Sequence, residues 1–401
     1  MKKILLVDDD ATIREIYRKR FVRAGYEVET VEDGLLAAKA LRTVKPDLVI
    51  LDLMMPRLSG VDVLRFIRSQ HDLAQLPVVI FTNAYLSELA EAANGLCVQR
   101  AIVKSECPPD RLVEHVNDIF ANLPSASAPS TTTARVPEKK AAEETKESAH
   151  VAKKARDQFL DNSANTMAAL RALYREFLAC EDPRARNLKL EDLYRKVHFV
   201  STISGMAECH QVALLAGAFE ALTFELHHRP EHIGHSTLHT ITTAMDFLEL
   251  LLENARAVSV EQPLAANVLV VDDDPLSNHL AVAALRRAKL NARAADNPLM
   301  GLEMATRSHY DLILLDIEMP TMNGFDVCRK LRTMPGYEKT PVIYVTAHND
   351  FESRSASIVA GGNDLIGKPI FPVELALKAV MHLLMQRLPA TVAAAKANPP
   401  R

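Results

Sequence analysis

Short unbroken apolar runs alternate along both ends of this chain with longer stretches in which apolar residues recur every three or four positions. The runs at 4–7, 47–51 and 78–81 are continuous rather than alternating, the pattern of strands covered on both faces. Between them, Ile13, Ile16, Tyr17 and Phe21, then Val63, Leu64 and Ile67, follow helical spacing. This βα alternation predicts a doubly wound parallel sheet. From 150 to 256 the strand pattern is lost. Phe159 and Leu160, Met167 to Phe177, Leu188 to Val200, Val212 to Leu226 and Leu238 to Leu252 carry apolar stripes at helical spacing. Four or five amphipathic helices of this length predict a bundle. The fold class is therefore α/β plus all-α.

The α/β pattern occurs twice. Ile4-Leu5-Leu6-Val7-Asp8-Asp9-Asp10 returns as Val268-Leu269-Val270-Val271-Asp272-Asp273-Asp274, and Asp47-Leu48-Val49-Ile50-Leu51-Asp52 as Asp311-Leu312-Ile313-Leu314-Leu315-Asp316. Asp9, Asp52, Thr82 and Lys104 each have an identical counterpart 264 residues on, at Asp273, Asp316, Thr346 and Lys368. Two copies of one domain follow, at 1–121 and 267–388. The segment 122–149, rich in Ala, Ser, Thr and Pro and then in Lys and Glu, reads as a linker of roughly 30 Å reach. The helical domain occupies 150–256, a shorter linker 257–266, and a tail 389–401.

Composition narrows the function classes. The 401 residues hold 47 Lys and Arg against 51 Asp and Glu, a formal charge of −4. That balance argues against a protein that coats nucleic acid. The bundle also lacks a basic recognition helix, so no nucleic-acid partner is expected. No apolar run approaches the roughly 18 residues of a spanning helix, and at the start only Ile4 to Val7 precede three aspartates, too little for a signal peptide. The five cysteines are widely spaced with no C-x-x-C, as in reduced intracellular thiols. A cytoplasmic protein without a membrane partner is expected.

In a doubly wound sheet, ligands bind beyond the carboxyl ends of the strands. Asp8, Asp9, Asp52, Thr82 and Lys104 each directly follow a strand run, so they converge on one edge. Clustered carboxylates repel unless a cation neutralises them, and an oxygen-rich set suits Mg²⁺. Asp52 and Asp316 are the natural nucleophiles toward a phosphoryl group. The lysine would neutralise a phosphoryl oxygen and the threonine hydroxyl would bind another.

Both copies resemble the receiver domains of two-component response regulators, which are five-stranded flavodoxin-like sheets. The likeness covers about 240 of the 401 residues. It implies that Asp52 and Asp316 accept phosphoryl from a phosphohistidine of a histidine kinase or phosphotransfer protein. It also implies Mg²⁺ at Asp8, Asp9, Asp52 and the Met54 main-chain carbonyl, and at Asp272, Asp273, Asp316 and the Glu318 carbonyl. Thr82, Lys104, Thr346 and Lys368 would sense the phosphoryl group. Several positions depart from the plan. Lys104 is followed by Ser105 where the second copy has Pro369, whose peptide is often cis in this family. Asn83 stands where the plan has a small residue, as Ala347 does, and is expected to restrict access to Asp52. Ala101 and Leu365 replace the usual aromatic switch residue.

In the bundle, Arg195-Lys196-Val197-His198-Phe199-Val200-Ser201-Thr202-Ile203-Ser204-Gly205 is similar to the motif of histidine phosphotransfer domains. His198 lies beside the apolar stripe, with small Thr202 and Gly205 one and two turns on, a face that a receiver could approach closely. The motif's lysine and glycine are Ser201 and Thr202 here, which leaves Lys196 or Arg195 as substitutes for the lysine. His210 is a second candidate in a poorer context. His227, His228, His232, His235 and His239 suggest a metal site or, more plainly, a solvated turn around Pro230 and Gly234. A haloacid-dehalogenase-like phosphatase is disfavoured, because the second aspartate it needs is Met54 or Glu318.

The leading expectation is a signalling protein rather than an enzyme: a phosphorelay protein acting on a downstream protein partner, with His198 as a relay point. The alternative is a phosphorylation-switched scaffold whose bundle is a spacer or holds a homodimer together.

Overall fold

In the computed structural model, the continuous apolar runs are the inner strands of two parallel sheets. The structure describes residues 1–55, 58–83, 93, 96–122, 156–256, 264–347 and 361–388. Most of both expected linkers and the whole tail lie outside them. The chain divides into two compact units, Met1–Glu220 with Glu249–Ser259, and Ala221–Leu248 with Val260–Arg401.

The first unit holds β1 (Lys3–Val7), β2 (Glu27–Val31), β3 (Leu48–Leu51), β4 (Val78–Thr82) and β5 (Arg100–Val103), with helices α1 (Ala11–Arg23), α2 (Gly34–Val44), α3 (Gly60–Ser69) and α4 (Pro109–Asn122). The order is β2-β1-β3-β4-β5 and all pairings are parallel, the flavodoxin-like arrangement. β1, β3 and β4 are buried nearly end to end, while the edge strands β2 and β5 keep exposed positions. That is why only the inner strands read as unbroken apolar runs. Val7 pairs with Leu51 and Thr82 with Val103, so Asp8, Asp52, Asn83 and Lys104 leave the sheet together at one edge.

The same unit includes helices α5 (Ser163–Ala179) and α6 (Pro183–Met206) and the first part of α7 (His210–His228). α6 starts at an Asp182 cap followed by Pro183 at its first position, a strong helix start. Ile203 and Met206, in its last turn, pack against the core formed by Ile4, Leu6, Tyr17, Phe81 and Val116.

The second unit repeats the sheet with β6 (Asn267–Val271), β7 (Asn291–Ala295), β8 (Leu312–Asp316), β9 (Val342–Thr346) and β10 (Asp364–Gly367), in the order β7-β6-β8-β9-β10 and again all parallel. Its helices are α9 (Pro275–Arg287), α10 (Pro298–Arg307), α11 (Gly324–Arg332) and α12 (Pro372–Arg387). The first part of α8 (His235–Asn254) belongs to this unit. α12 is buried on nearly every side. Ser236 and Thr240 of α8 donate to Glu374 Oε1 at 2.6 and 2.8 Å, and His232 stacks on Phe371 with ring centres 4.4 Å apart. At the start of β10, Asp364 accepts from Lys378 Nζ at 2.7 Å and from His382 Nε2 at 3.2 Å, tying α12 to the sheet. The four helices α5 to α8, between the two sheets in the sequence, complete the α/β plus all-α class.

Candidate functional site

The three consecutive aspartates divide their work. Asp10 caps α1, accepting from the Thr12 and Ile13 amides, and Asp274 caps α9 in the same way. Asp8 and Asp9 are left for the edge. α3 must start close behind β3, and Gly60 permits this: an added Cβ would collide with the Asp52 carbonyl oxygen. Gly324 stands in the same relation to Asp316.

In the first unit, Asp8, Asp9 and Asp52 are joined by His198, and one potential ligand atom from each lies within 4.8 Å of the others. Lys104 Nζ is 2.5 Å from Asp52 Oδ2, 2.7 Å from Asp8 Oδ2 and 3.4 Å from His198 Nε2. On its other side, His198 Nδ1 is 2.7 Å from Glu220 Oε1. Asp52 and Asp8 are 1% exposed, His198 2% and Lys104 0%, while Asp9 is half-buried, so all of the cluster but Asp9 is shielded from solvent. Burial raises the Asp8 carboxyl and lifts Asp9 to about 7. Burial opposes the Lys104 ammonium, but Asp52 and Asp8 outweigh it and hold its pKa above the ordinary value. Burial likewise opposes a charged His198, yet Glu220 brings the imidazole to about 9.

The residues around this cluster join the receiver to α6. Asn83 Nδ2 donates to Ser201 Oγ at 2.8 Å, to Thr202 Oγ1 at 3.4 Å and to Glu220 Oε2 at 3.1 Å. The Ser105 amide donates to Asn83 Oδ1 at 3.0 Å. Tyr194 Oη donates to the Met54 carbonyl at 3.1 Å, the oxygen that the resemblance assigns to Mg²⁺. Gly205 lies against the Ser105 backbone so closely that a Cβ would overlap it. Asn83 is thus a bridge to α6, where the sequence had suggested only an obstruction. Lys196 and Arg195 do not replace the motif's lysine: Lys196 lies over the Phe199 ring and Arg195 pairs with Glu191.

The second site is more open. Asp272, Asp273 and Asp316 come within the same reach of one another, with Asp273 exposed. Lys368 Nζ is 2.8 Å from Asp316 Oδ2 and 3.0 Å from Asp272 Oδ2, and its side chain is 24% exposed. Burial raises the Asp316 carboxyl. Lys368 and Pro369 are joined by a cis peptide. Thr82 and Thr346 end β4 and β9 and are buried beside these clusters.

Both carboxylate sets fit a small hard cation. In the first, Asp9 Oδ1 is buried without a hydrogen-bond partner, an arrangement that costs free energy unless a cation or water meets it. His210 is exposed at the start of α7. Among the described residues, the histidines from 227 to 239 supply no set of three converging ligands. Glu220 and Tyr194 were not singled out from the sequence. Glu220 did leave a signal, a carboxylate inside the apolar run Ala216-Gly217-Ala218-Phe219-Glu220-Ala221-Leu222.

The family of response regulator receiver domains matches residues 4–117 and 268–380, together more than half of the chain. The chain belongs to this family: it is a two-receiver response regulator of two-component signalling. It is similar to the signal transduction histidine-protein kinase BarA of Escherichia coli, with 36% identity over 113 residues, 28% of this chain and 12% of that protein. It is also similar to the response regulator PleD of Caulobacter vibrioides, with 38% identity over 112 residues, 28% of this chain and 25% of that protein. The chain thus spans a quarter or less of either relative. Among solved structures, the receiver domain of the sensor histidine kinase PA1611 from Pseudomonas aeruginosa, with magnesium in its active-site cleft, is 27% identical. That match covers 29% of this chain and 98% of the other at a TM-score of 0.27. Among the described residues no helix is long and apolar enough to cross a membrane.

Proposed function

We propose that this response regulator is a phosphorelay protein in which Asp52 and Asp316 are phosphoacceptors and His198 exchanges a phosphoryl group with Asp52. The division is receiver 1–121, histidine phosphotransfer-like bundle 150–256 and receiver 267–388. The observation that carries the reading is the position of His198: a ring nitrogen lies within 4.8 Å of an Asp52 oxygen, and Lys104 Nζ touches both side chains.

In the exchange, an Asp52 oxygen bonds to phosphorus as the P–Nε2 bond breaks, and that bond's electron pair returns to Nε2. The ring passes from a phosphorylated cation to a neutral imidazole and keeps its Nδ1 proton throughout, held by Glu220. In the reverse direction Nε2 must first be free of any proton it has taken up, since Glu220 raises the ring's pKa to about 9. Lys104 follows the phosphoryl charge from one acceptor to the other without leaving the site. Thr82 and Thr346 would each bind a phosphoryl oxygen. Asp8, Asp9, Asp52 and the Met54 carbonyl, and Asp272, Asp273, Asp316 and the Glu318 carbonyl, would hold Mg²⁺, which supplies positive charge against the phosphoryl oxygens. A histidine kinase or phosphotransfer protein upstream and a protein target downstream, in the cytoplasm, complete the scheme.

The test uses full-length protein carrying Asp316→Asn, charged with ³²P-phosphoramidate in Mg²⁺. Acid-labile, base-stable label is expected at His198, and it should vanish on adding either Asp52→Asn or His198→Gln. Acyl-phosphate label at Asp52 with none at His198 would leave the bundle a spacer and defeat the relay.

A further inference from the structure

The positions at which the first receiver departs from its family plan touch the positions at which α6 departs from the phosphotransfer motif. Asn83 and Ser105 are on one side, Ser201 and Thr202 on the other, and the Asn83 side chain bonds to all three of the others. The cation that α6 lacks is supplied from the receiver, as Lys104 Nζ 3.4 Å from His198 Nε2. Gly205 permits backbone contact with Ser105 that no larger residue would allow. Each oddity in one element is answered by an oddity in the other.

We infer that the first receiver is closed to outside phosphohistidines by its own chain: the α6 face around His198 is a built-in partner for Asp52, latched by Asn83. The physical reason is exclusion. With Asp52 1% and Lys104 0% exposed and the His198 ring against Lys104, a donor's imidazole meets the His198 ring and α6 where it would have to sit beside Asp52. An upstream phosphohistidine protein would therefore charge Asp316 directly and Asp52 only after α6 lifts. The inference rests on Asp52 being a phosphoacceptor, but it holds whether or not His198 itself carries phosphoryl.

The experiment compares three full-length proteins, Asp316→Asn alone, Asp316→Asn with Gly205→Leu, whose added side chain forces α6 away from Ser105, and Asp316→Asn with Asn83→Ala. Each is offered a purified phosphotransfer protein bearing ³²P on its histidine, and separately ³²P-phosphoramidate. Charging of Asp52 by the phosphoprotein is expected to rise at least tenfold with Gly205→Leu. Asn83→Ala, which removes the latch without adding bulk, should act in the same direction. In the Asp52→Asn background, charging of Asp316 should be the same with and without Gly205→Leu, and charging of Asp52 by phosphoramidate shows that the substituted unit folds. Equal charging of Asp52 by the phosphoprotein in the parent and both opened variants overturns the closure, provided phosphoramidate charges Asp52 in all three. If phosphoramidate charges Asp52 in none of them, the phosphoacceptor assignment itself falls and takes the closure with it.

Discussion

Glu220 shows how one side chain can set the chemistry of another. It is fully buried, with one oxygen 2.7 Å from His198 Nδ1 and the other accepting from Asn83. The first contact keeps a proton on Nδ1 and turns Nε2 toward the aspartates; the second ties that orientation to the receiver. Glu220→Gln keeps the shape and removes the charge. His198 labelling through Asp52 should slow about tenfold to a hundredfold, by analogy with the loss of a partner that orients a metal-ligating histidine. The ¹⁵N shifts of the His198 ring should show its pKa falling from about 9, whereas a merely structural role for Glu220 would leave it in place. The acidic residues of both sites were legible in the sequence because each occurs twice at the same spacing. Glu220 was not, since nothing in its own helix says which histidine it faces.

At the scale of elements, the repeat makes its own controls. Gly60 and Gly324 bring α3 and α11 against the carbonyls of Asp52 and Asp316, and backbone cannot rotate aside as a side chain can. Gly60→Ala and Gly324→Ala should each cost about 1–3 kcal/mol of stability, the range of overpacked sites, measured by urea unfolding. Far from the site, Asp364 anchors α12 through Lys378 and His382. Burial opposes its charge, but these two cations outweigh burial and hold its carboxyl well below the usual 3.8. A carboxylate depressed in the folded state stabilises fully above its unfolded pKa and loses that contribution as pH falls through its folded one. Stability of the wild type should therefore decline below about pH 4 by more than that of Asp364→Asn, when urea midpoints are followed from pH 7 to pH 3. Equal slopes would show that the anchor contributes nothing.

For the whole molecule, one receiver plan is used in two settings. The second has an exposed Asp273 and a partly exposed Lys368; the first has His198 beside Asp52. Both depend on the same carboxylate chemistry, so chelation of Mg²⁺ should abolish acyl-phosphate labelling of Asp52 and Asp316 alike, and added Mg²⁺ should restore it. Labelling that survives chelation at either aspartate would remove the metal from that site's chemistry.

The sequence by itself determined both sheets, their repeat and the convergence of Asp8, Asp9, Asp52, Thr82 and Lys104. Each of these follows from local patterning: continuous apolar runs set parallel strands, and a residue directly after a strand must lie at that strand's carboxyl end. It also marked His198, with small residues following on the same helix face. Only the tertiary structure decided what His198 meets. Lys104 reaches it and Asn83 reaches Ser201 on the same helix, across 94 and 118 residues of chain, and such pairings leave no periodic trace. Asn83, Ser105, Ser201 and Thr202 each looked like a defect in its own motif. Their complementarity exists only where the two surfaces touch, because hydrogen bonds and steric fit belong to the pair.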